Sequence, residues 1–269
     1  MASGDAHQER NPLKLRETIS SHRFLFEELV KRDFKKKYKG TILGMGWSML
    51  MPLCTLGVMY VVFSHIFGRG VPHFAIYLFC GNILYSWFSE STKLGMTSIF
   101  ANASIFSKVP IPKVLFLLSR NVQTLINFAL TLVVFFVFCL LSDVTITWKY
   151  LLLVYPIFTL LLLNIGVGLV LASYYVFFRD LDYLWAVFLQ LLMYASAIFY
   201  SVKMLPAKLQ MLLAWNPLYS HIAYFRDVTI DGVIPSLQAH LILLVWGLIA
   251  LEVGLLVYRH SQERFMYYV

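Results

Sequence analysis

The sequence predicts an all-α integral membrane protein with six transmembrane helices, an N-terminal amphipathic interface helix and two short re-entrant helices on the outer side. Three observations lead there. Charged residues make up 13% of the 269-residue chain against 59% hydrophobic, with a mean hydropathy of +0.72; a soluble domain carries roughly 25% charge. Six stretches come close to the ~20 mostly apolar residues that cross a bilayer. The basic residues fall unevenly between the segments joining those stretches, which sets an orientation.

The first element lies before the apolar runs. In FLFEELVKRDFKKKY, Phe26, Val30 and Phe34 recur every four residues with Leu25 and Leu29 beside them, while Glu27, Glu28, Lys31, Arg32 and Lys35 fall on the other face. This is the period of a helix lying in the interface plane. Lys31, Arg32, Lys35, Lys36, Lys37 and Lys39 surround a single acid, Asp33, just before the chain turns apolar at Ile42. Each basic residue near an anionic leaflet contributes about 1 kcal/mol. The block therefore suits an anchor, and equally a first contact for an anionic substrate. Residues 1–42 read as a cytoplasmic tail plus this helix, and no cleavable signal peptide is expected, because the first 23 residues are polar.

The expected spans are 43–67, 74–92, 114–141, 150–178, 183–200 and 237–258, so that 43–258 form one membrane domain and 259–269 a cytoplasmic tail. Glu90 and Gln190 interrupt the second and fifth. With the N-terminus inside, the ten basic residues from Arg10 to Lys39 share the cytoplasmic side with Lys93, Lys108, Lys113, Arg179, Arg259 and Arg264. Only Arg69, Lys149, Lys203, Lys208 and Arg226 fall outside, which places both termini in the cytoplasm. Asn82, Ser86 and Glu90 form one polar stripe on the second span, and Arg120, Thr124, Asn127 and Thr131 form another on the third. Charges at membrane depth need partners. The stripes are expected to face each other or a shared channel, with Glu90 and Arg120 paired or bridged and Glu252 the rival partner.

Two loops complete the pattern. Residues 97–113, TSIFANASIFSKVPIPK, carry two aliphatic–aromatic pairs, Ile99-Phe100 and Ile105-Phe106, before a Pro-x-Pro stop. Exposed pairs of this kind mark a contact surface. Residues 201–235 are too apolar for a solvated loop, and their runs are too short to span. Stretches 204–215 and 218–228 read as two short helices divided at Asn216-Pro217, and such elements persist at membrane depth only when buried in protein or lining a cavity. Trp87, Phe88, Tyr194, Trp215 and Tyr219 are candidate channel aromatics, since sugar rings stack on aromatic faces; interface belts and packing account for most of the others.

Chemistry of the chain's own is not expected. No phosphate loop, HExxH or GxSxG motif occurs, the seven histidines are scattered, and Cys54, Cys80 and Cys139 all sit in apolar runs. No metal site follows. The net charge of +8 gathers beside the membrane, which argues against a nucleic-acid partner.

In order along the chain, KRDFKKKYKGTILGMGWSMLMP, CGNILYSWFSESTKLGMTSIFANASIFSKVPIPK, FFRDLDYLWAVFLQLLMYASAIFY and WNPLYSHIAYFRDVTIDG resemble the membrane (permease) subunit of ABC-2 type exporters of cell-surface polysaccharides. The resemblance runs from about Phe24 to the C-terminus, and RDFKKKYKGTILG is most similar to the wall teichoic acid and O-antigen branch. Pro112-Lys113 stands where members commonly have Pro-Arg, which keeps the charge.

The resemblance implies a homodimer in the bacterial cytoplasmic membrane, bound to two separate ATP-binding cassette subunits that hold ATP and Mg2+, with no cofactor on this chain. It implies an anionic polymer on a polyprenyl-pyrophosphate lipid as substrate, a polysaccharide or teichoic acid moved from the inner to the outer leaflet. It also implies that residues 97–108, with Ile99, Phe100, Ile105, Phe106 and Lys108, form the coupling helix for the ATPase, and that the bend at Arg179-Asp180-Leu181 adds a second contact. Two other classes remain open. A polyprenyl-phosphate transferase would need clustered acids or histidines. An ABC-2 exporter of a drug or other small lipid-like molecule shares the fold but commonly carries a large outside domain, where this chain has 35 residues.

Overall fold

A computed structural model describes residues 12–68, 71–106, 111–142, 144–262 and 264–265, with side chains from Arg23 onward except that of Phe106. Expectations placed on Lys108, on the Phe106 side chain and on residues 1–11 and 266–269 lie outside that description. Every described element is a helix. In chain order the α-helices are α1 (Pro12–Tyr38), α2 (Trp47–Phe67), α3 (Phe74–Ala101), α4 (Ala103–Phe106), α5 (Val114–Leu141), α6 (Val154–Tyr175), α7 (Leu181–Tyr194), α8 (Ala207–Ala214), α9 (Pro217–Thr229) and α10 (Leu237–Ser261), and short 3-10 turns at Gly44–Gly46 and Trp148–Leu153 lead into α2 and α6.

Four of the described segments are long and apolar enough to cross a membrane: Gly44–Phe67, Val114–Leu141, Trp148–Tyr175 and Leu237–Ser261. The expected second and fifth spans are different in kind. α3 has the length, at 28 residues, but its run is broken by Asn82, Ser86, Glu90 and Lys93. The reason is its position: α3 is the central helix, packed against α2, α5, α6, α7 and α9. A helix surrounded by protein needs no continuous lipid-compatible surface. α2 is the opposite case, with Leu56 its one buried residue and apolar side chains exposed along its length.

α3 also runs about two and a half turns beyond the expected end at 92, to Ala101. That extension corrects the view of Ile99 as a surface contact. Ile99 is fully buried, in a cluster with Leu29 of α1, Phe116 and Leu117 of α5, Leu169 of α6 and Tyr258 of α10.

α7 stops at Tyr194, short of the expected 200, and the chain unwinds through Ala197, whose φ of +49° is left-handed. The carbonyls of this unwound segment have no helical partner, and here side chains from elsewhere supply them. Asn216 Nδ2 donates to Ala195 O at 2.9 Å, and Tyr77 Oη to Tyr200 O at 2.8 Å. Arg226, only 6% exposed, donates to Ala197 O at 2.9 Å and Ile198 O at 3.1 Å, and also to Tyr77 O at 3.0 Å while lying 3.4 Å from the centre of the Tyr77 ring. Asn216 has a second role. Its Oδ1 accepts from the Leu218 and Tyr219 amides, capping α9 with Pro217 in the first turn. The break expected at Asn216-Pro217 is therefore present, between α8 and α9.

α6 and α10 are held by glycine. A Cβ on Gly166 would lie 2.2 Å from Ala250 C, and one on Gly254 would lie 2.4 Å from Gly166 O, so the two backbones touch. Close backbone approach through small residues is how membrane helices associate without a hydrophobic drive between them. Gly166→Ala is expected to cost about 3 kcal/mol, because the obstruction is backbone and cannot rotate away. Gly57→Ala on α2, with open space around it, is expected to be neutral or slightly stabilising. Thermal unfolding of both variants in detergent checks the contrast; equal midpoints would show that the seam tolerates a side chain.

Candidate functional site

The site begins at the lone acid of the basic block. One face of α1 rests on α5 and buries Leu29 and, one turn later, Asp33, which is 1% exposed. A carboxylate buried so deeply needs charged partners and donors. Arg32 Nη2 lies 2.7 Å from Asp33 Oδ1, Ser119 Oγ donates to Oδ2 at 3.1 Å, and Arg120 Nε lies 3.4 Å from Oδ2. Arg32 Nη2 also donates to Asn102 Oδ1 at 2.8 Å, just past the end of α3. One carboxylate thus joins α1 to α5 and, through Arg32, to the foot of α3.

Glu90 finds its partner on α1 as well. Lys37 Nζ lies 2.6 Å from Glu90 Oε1, and Asn127 Nδ2 approaches the same oxygen at 3.4 Å. The expected Glu90–Arg120 pair is therefore replaced by two ion pairs to α1, Lys37–Glu90 and Asp33–Arg120. The rival is excluded too: Glu252 is exposed on α10 and makes no ion pair among the described residues. The reason is topological. The expectation paired span with span, whereas α1 lies against α5 and offers side chains to both charges.

The polar stripes do face a common space. A vestibule of about 460 Å³ is lined by Asp33, Lys36, Lys37, Glu90, Lys93, Arg120, Gln123 and Asp182 among others. An inner cavity of about 450 Å³ between α2, α3 and α5 is lined by Asn82, Ser86 and Glu90 from one stripe and Thr124, Asn127 and Thr131 from the other, with Tyr38, Trp47, Met51, Trp87 and Phe128. Lys37, Glu90 and Lys93 line both, so the Lys37–Glu90 pair stands where the two meet. Local chemistry shapes the inner wall. Pro52 lacks the amide that Ser48 O would accept one turn back, and Thr131 Oγ1 reaches that carbonyl from α5 at 3.4 Å. Tyr38 Oη donates to Asn127 Oδ1 at 2.6 Å and also touches Ser48 Oγ, closing the cavity toward α1.

Of the candidate aromatics, Trp87 lines the inner cavity, stacked on Phe128 at 4.3 Å, and its indole N–H has no acceptor among the described residues. Phe88 is buried nearby with its ring 6.3 Å from Trp185. Tyr194 and Trp215 are exposed and Tyr219 half-buried, and none of the three lines either cavity. Within the basic block, Lys36 and Lys37 face the vestibule, Arg32 serves Asp33, and Lys31 pairs with Glu28 at 3.0 Å. Lys35 and Lys39 are exposed without lining the groove.

The two expected ATPase contacts are adjacent in space. The Arg179 guanidinium lies 3.5 Å from the Phe100 ring centre, and Tyr175 meets the same ring at 6.2 Å. Asp180 is exposed at the same bend, while Ile105 packs partly against the core beside Ile99.

Sequence reasoning passed over Asp33, Lys93, Asp182 and Arg226. For Asp33 a signal existed, since it follows Leu25 and Leu29 at four-residue spacing on the face that packs. Among the described residues no group of three His, Cys, Asp or Glu is placed to hold a metal ion.

The sequence model of the ABC-2 type transporter matches residues 25–257, from α1 into α10. The chain belongs to the ABC-2 type transporter family. It is 28% identical to the O-antigen export system permease protein RfbA of Klebsiella pneumoniae over 249 residues, 90% of this chain and 95% of that protein. The protein of the same name from Myxococcus xanthus is 25% identical over 257 residues, 94% and 98% of the two chains. The polysialic acid transport protein KpsM of Escherichia coli is 25% identical over 240 residues, 88% and 93%. These matches extend over nearly the full length of each relative, and the family match takes in α1 with its basic block.

Removing Asp33 tests the hub. Asp33→Ala is expected to lower the unfolding free energy by about 3–5 kcal/mol, because Arg120 is left buried without its carboxylate. The double variant Asp33→Ala/Arg120→Leu should recover part of that loss. A double-mutant cycle read by detergent unfolding decides it, and strictly additive losses would show that the two groups do not hold each other.

Proposed function

We propose that this chain is the membrane subunit of an ATP-driven exporter that moves a polyprenyl-pyrophosphate-linked polysaccharide, of the O-antigen or wall teichoic acid type, from the inner to the outer leaflet. The observation that carries this reading is the continuity of the vestibule and inner cavity at Lys37, Glu90 and Lys93, in a chain aligned nearly end to end with permeases named for O-antigen export and polysialic acid transport. A pyrophosphate arrives at headgroup level with its negative charge, where Lys36, Lys37 and Lys93 offer charge-assisted hydrogen bonds. An incoming phosphate competes for Lys37 Nζ, so Glu90 exchanges its lysine for the Asn127 amide already beside it. Sugar hydroxyls find partners in Ser86 and Thr131 on the wall of the inner cavity.

In this reading α3 and α7 join the four long apolar segments to make six membrane helices, and α8 and α9 form the outer re-entrant cap over residues 201–235. Residues 1–42 lie on the cytoplasmic side with the tail 259–269. Two copies assemble with two ATP-binding cassette subunits, which bring ATP and Mg2+. The coupling surface comprises Phe100, Ile105, Phe106 and Lys108 with Arg179 and Asp180; buried Ile99 supports it from beneath.

Reconstitution with the ATPase subunit and a lipid-linked polymer tests the groove. Lys37→Gln/Lys93→Gln is expected to lower transport at least about tenfold, from roughly 1 kcal/mol per basic residue at an anionic headgroup, while membrane insertion stays normal. Export of an uncharged small lipid with no loss for the polymer would favour the small-molecule reading. Coupling has its own test. Phe106→Asp places an unpaired charge in an apolar contact, which costs several kcal/mol, so the complex should dissociate or lose substrate-linked ATP hydrolysis. A fully active complex would move the contact elsewhere.

A further inference from the structure

Beyond the glycine seam, the last turns of α10 and the chain leaving α6 enclose a cleft of about 660 Å³ that shares no residue with the groove. Tyr174, Phe178, Leu256 and Val257 form its walls, and His260 and Arg264 stand at its rim. Tyr174, Phe178 and Leu256 are 48%, 68% and 59% exposed, so the folded chain leaves these apolar side chains uncovered at the ends of two helices long enough to cross a membrane.

We propose that this cleft holds a single anionic phospholipid, its acyl chains against Phe178, Leu256 and Val257 and its phosphate against Arg264 and His260. The order of chemistry along α10 carries the assignment. Leu256 and Val257 lie inside the helix, His260 in its last turn and Arg264 beyond its end, which is the order of tail and headgroup in a leaflet. Basic pockets between membrane helices at headgroup level select anionic lipids in this way. A soluble anion gains nothing from the exposed aromatic wall, and a zwitterionic lipid gains little from the cationic rim.

The chain in nanodiscs of equal phosphatidylglycerol and phosphatidylcholine, released and weighed by native mass spectrometry, tests the site. Wild type is expected to retain one phosphatidylglycerol in preference to phosphatidylcholine. Arg264→Gln should lower that retention about fivefold, the effect of one basic residue at a headgroup layer. Val257→Trp, which fills the cleft and keeps the charge, should abolish it; Leu256→Trp fills the same wall should Val257→Trp fail to fold, as judged by its melting midpoint. Equal retention of the two lipids by wild type overturns the proposal, as does retention untouched by a folded filling variant. If Arg264→Gln leaves lipid retention unchanged but weakens binding of the ATPase subunit, the cleft belongs to a protein contact and the lipid site is refuted. None of these outcomes depends on the exported substrate, so failure here and failure of the export reading are separable.

Discussion

The Asp33 carboxylate is the constraint from which the groove is built. A charge buried to 1% exposure is tolerated only when its partners are close and well directed. Meeting that demand fixes α1 on α5 through Ser119 and Arg120, and on the foot of α3 through Arg32 and Asn102. Lys36 and Lys37 follow within four residues, so the same placement aims them at the vestibule and brings Lys37 to Glu90. Without the buried acid, only Leu29 and its apolar neighbours would orient α1 about its axis. With it, the rotation is set.

Helix existence was legible where a single physical signal ruled. Residues 114–141 match α5 at both ends because that run is apolar enough to span although one of its faces carries the polar stripe, and Asn216-Pro217 divides α8 from α9 because a side-chain cap and a proline act together there. Hydropathy was less informative for α3, whose neighbours are protein, and it missed the end of α7, because the unwound segment after it has its carbonyls satisfied by Asn216, Tyr77 and Arg226 from other parts of the chain. Arg226 counted in the sequence as one more outside charge; its burial depends on four carbonyl contacts that no local pattern encodes.

The groove was half legible for the same reason. Helical spacing along single spans placed Asn82, Ser86 and Glu90 opposite Thr124, Asn127 and Thr131, and these stripes share a cavity. Charge pairing depends on which elements are neighbours, and α1 stood outside the set of spans considered. Lys37 and Glu90 are 53 positions apart, and Asp33 and Ser119 are 86 apart. The Ile99-Phe100 pair divided likewise: Ile99 turned inward with the extension of α3, while Phe100 stayed at the surface beneath Arg179.

The two ends of the molecule are fastened by different kinds of bond. At the α9 end the Arg226 guanidinium holds backbone carbonyls, neutral acceptors sealed from water that no dissolved ion competes for. At the α1 end Lys37 holds Glu90 through a contact in which both side chains remain one-third exposed, and such pairs yield to salt and to stronger anions. One contact is consequently shielded from solution chemistry and the other is open to it. Ionic strength and anionic ligands therefore act on the Lys37–Glu90 contact and not on the carbonyl contacts of Arg226, which gives the molecule a direction before any partner or nucleotide supplies one.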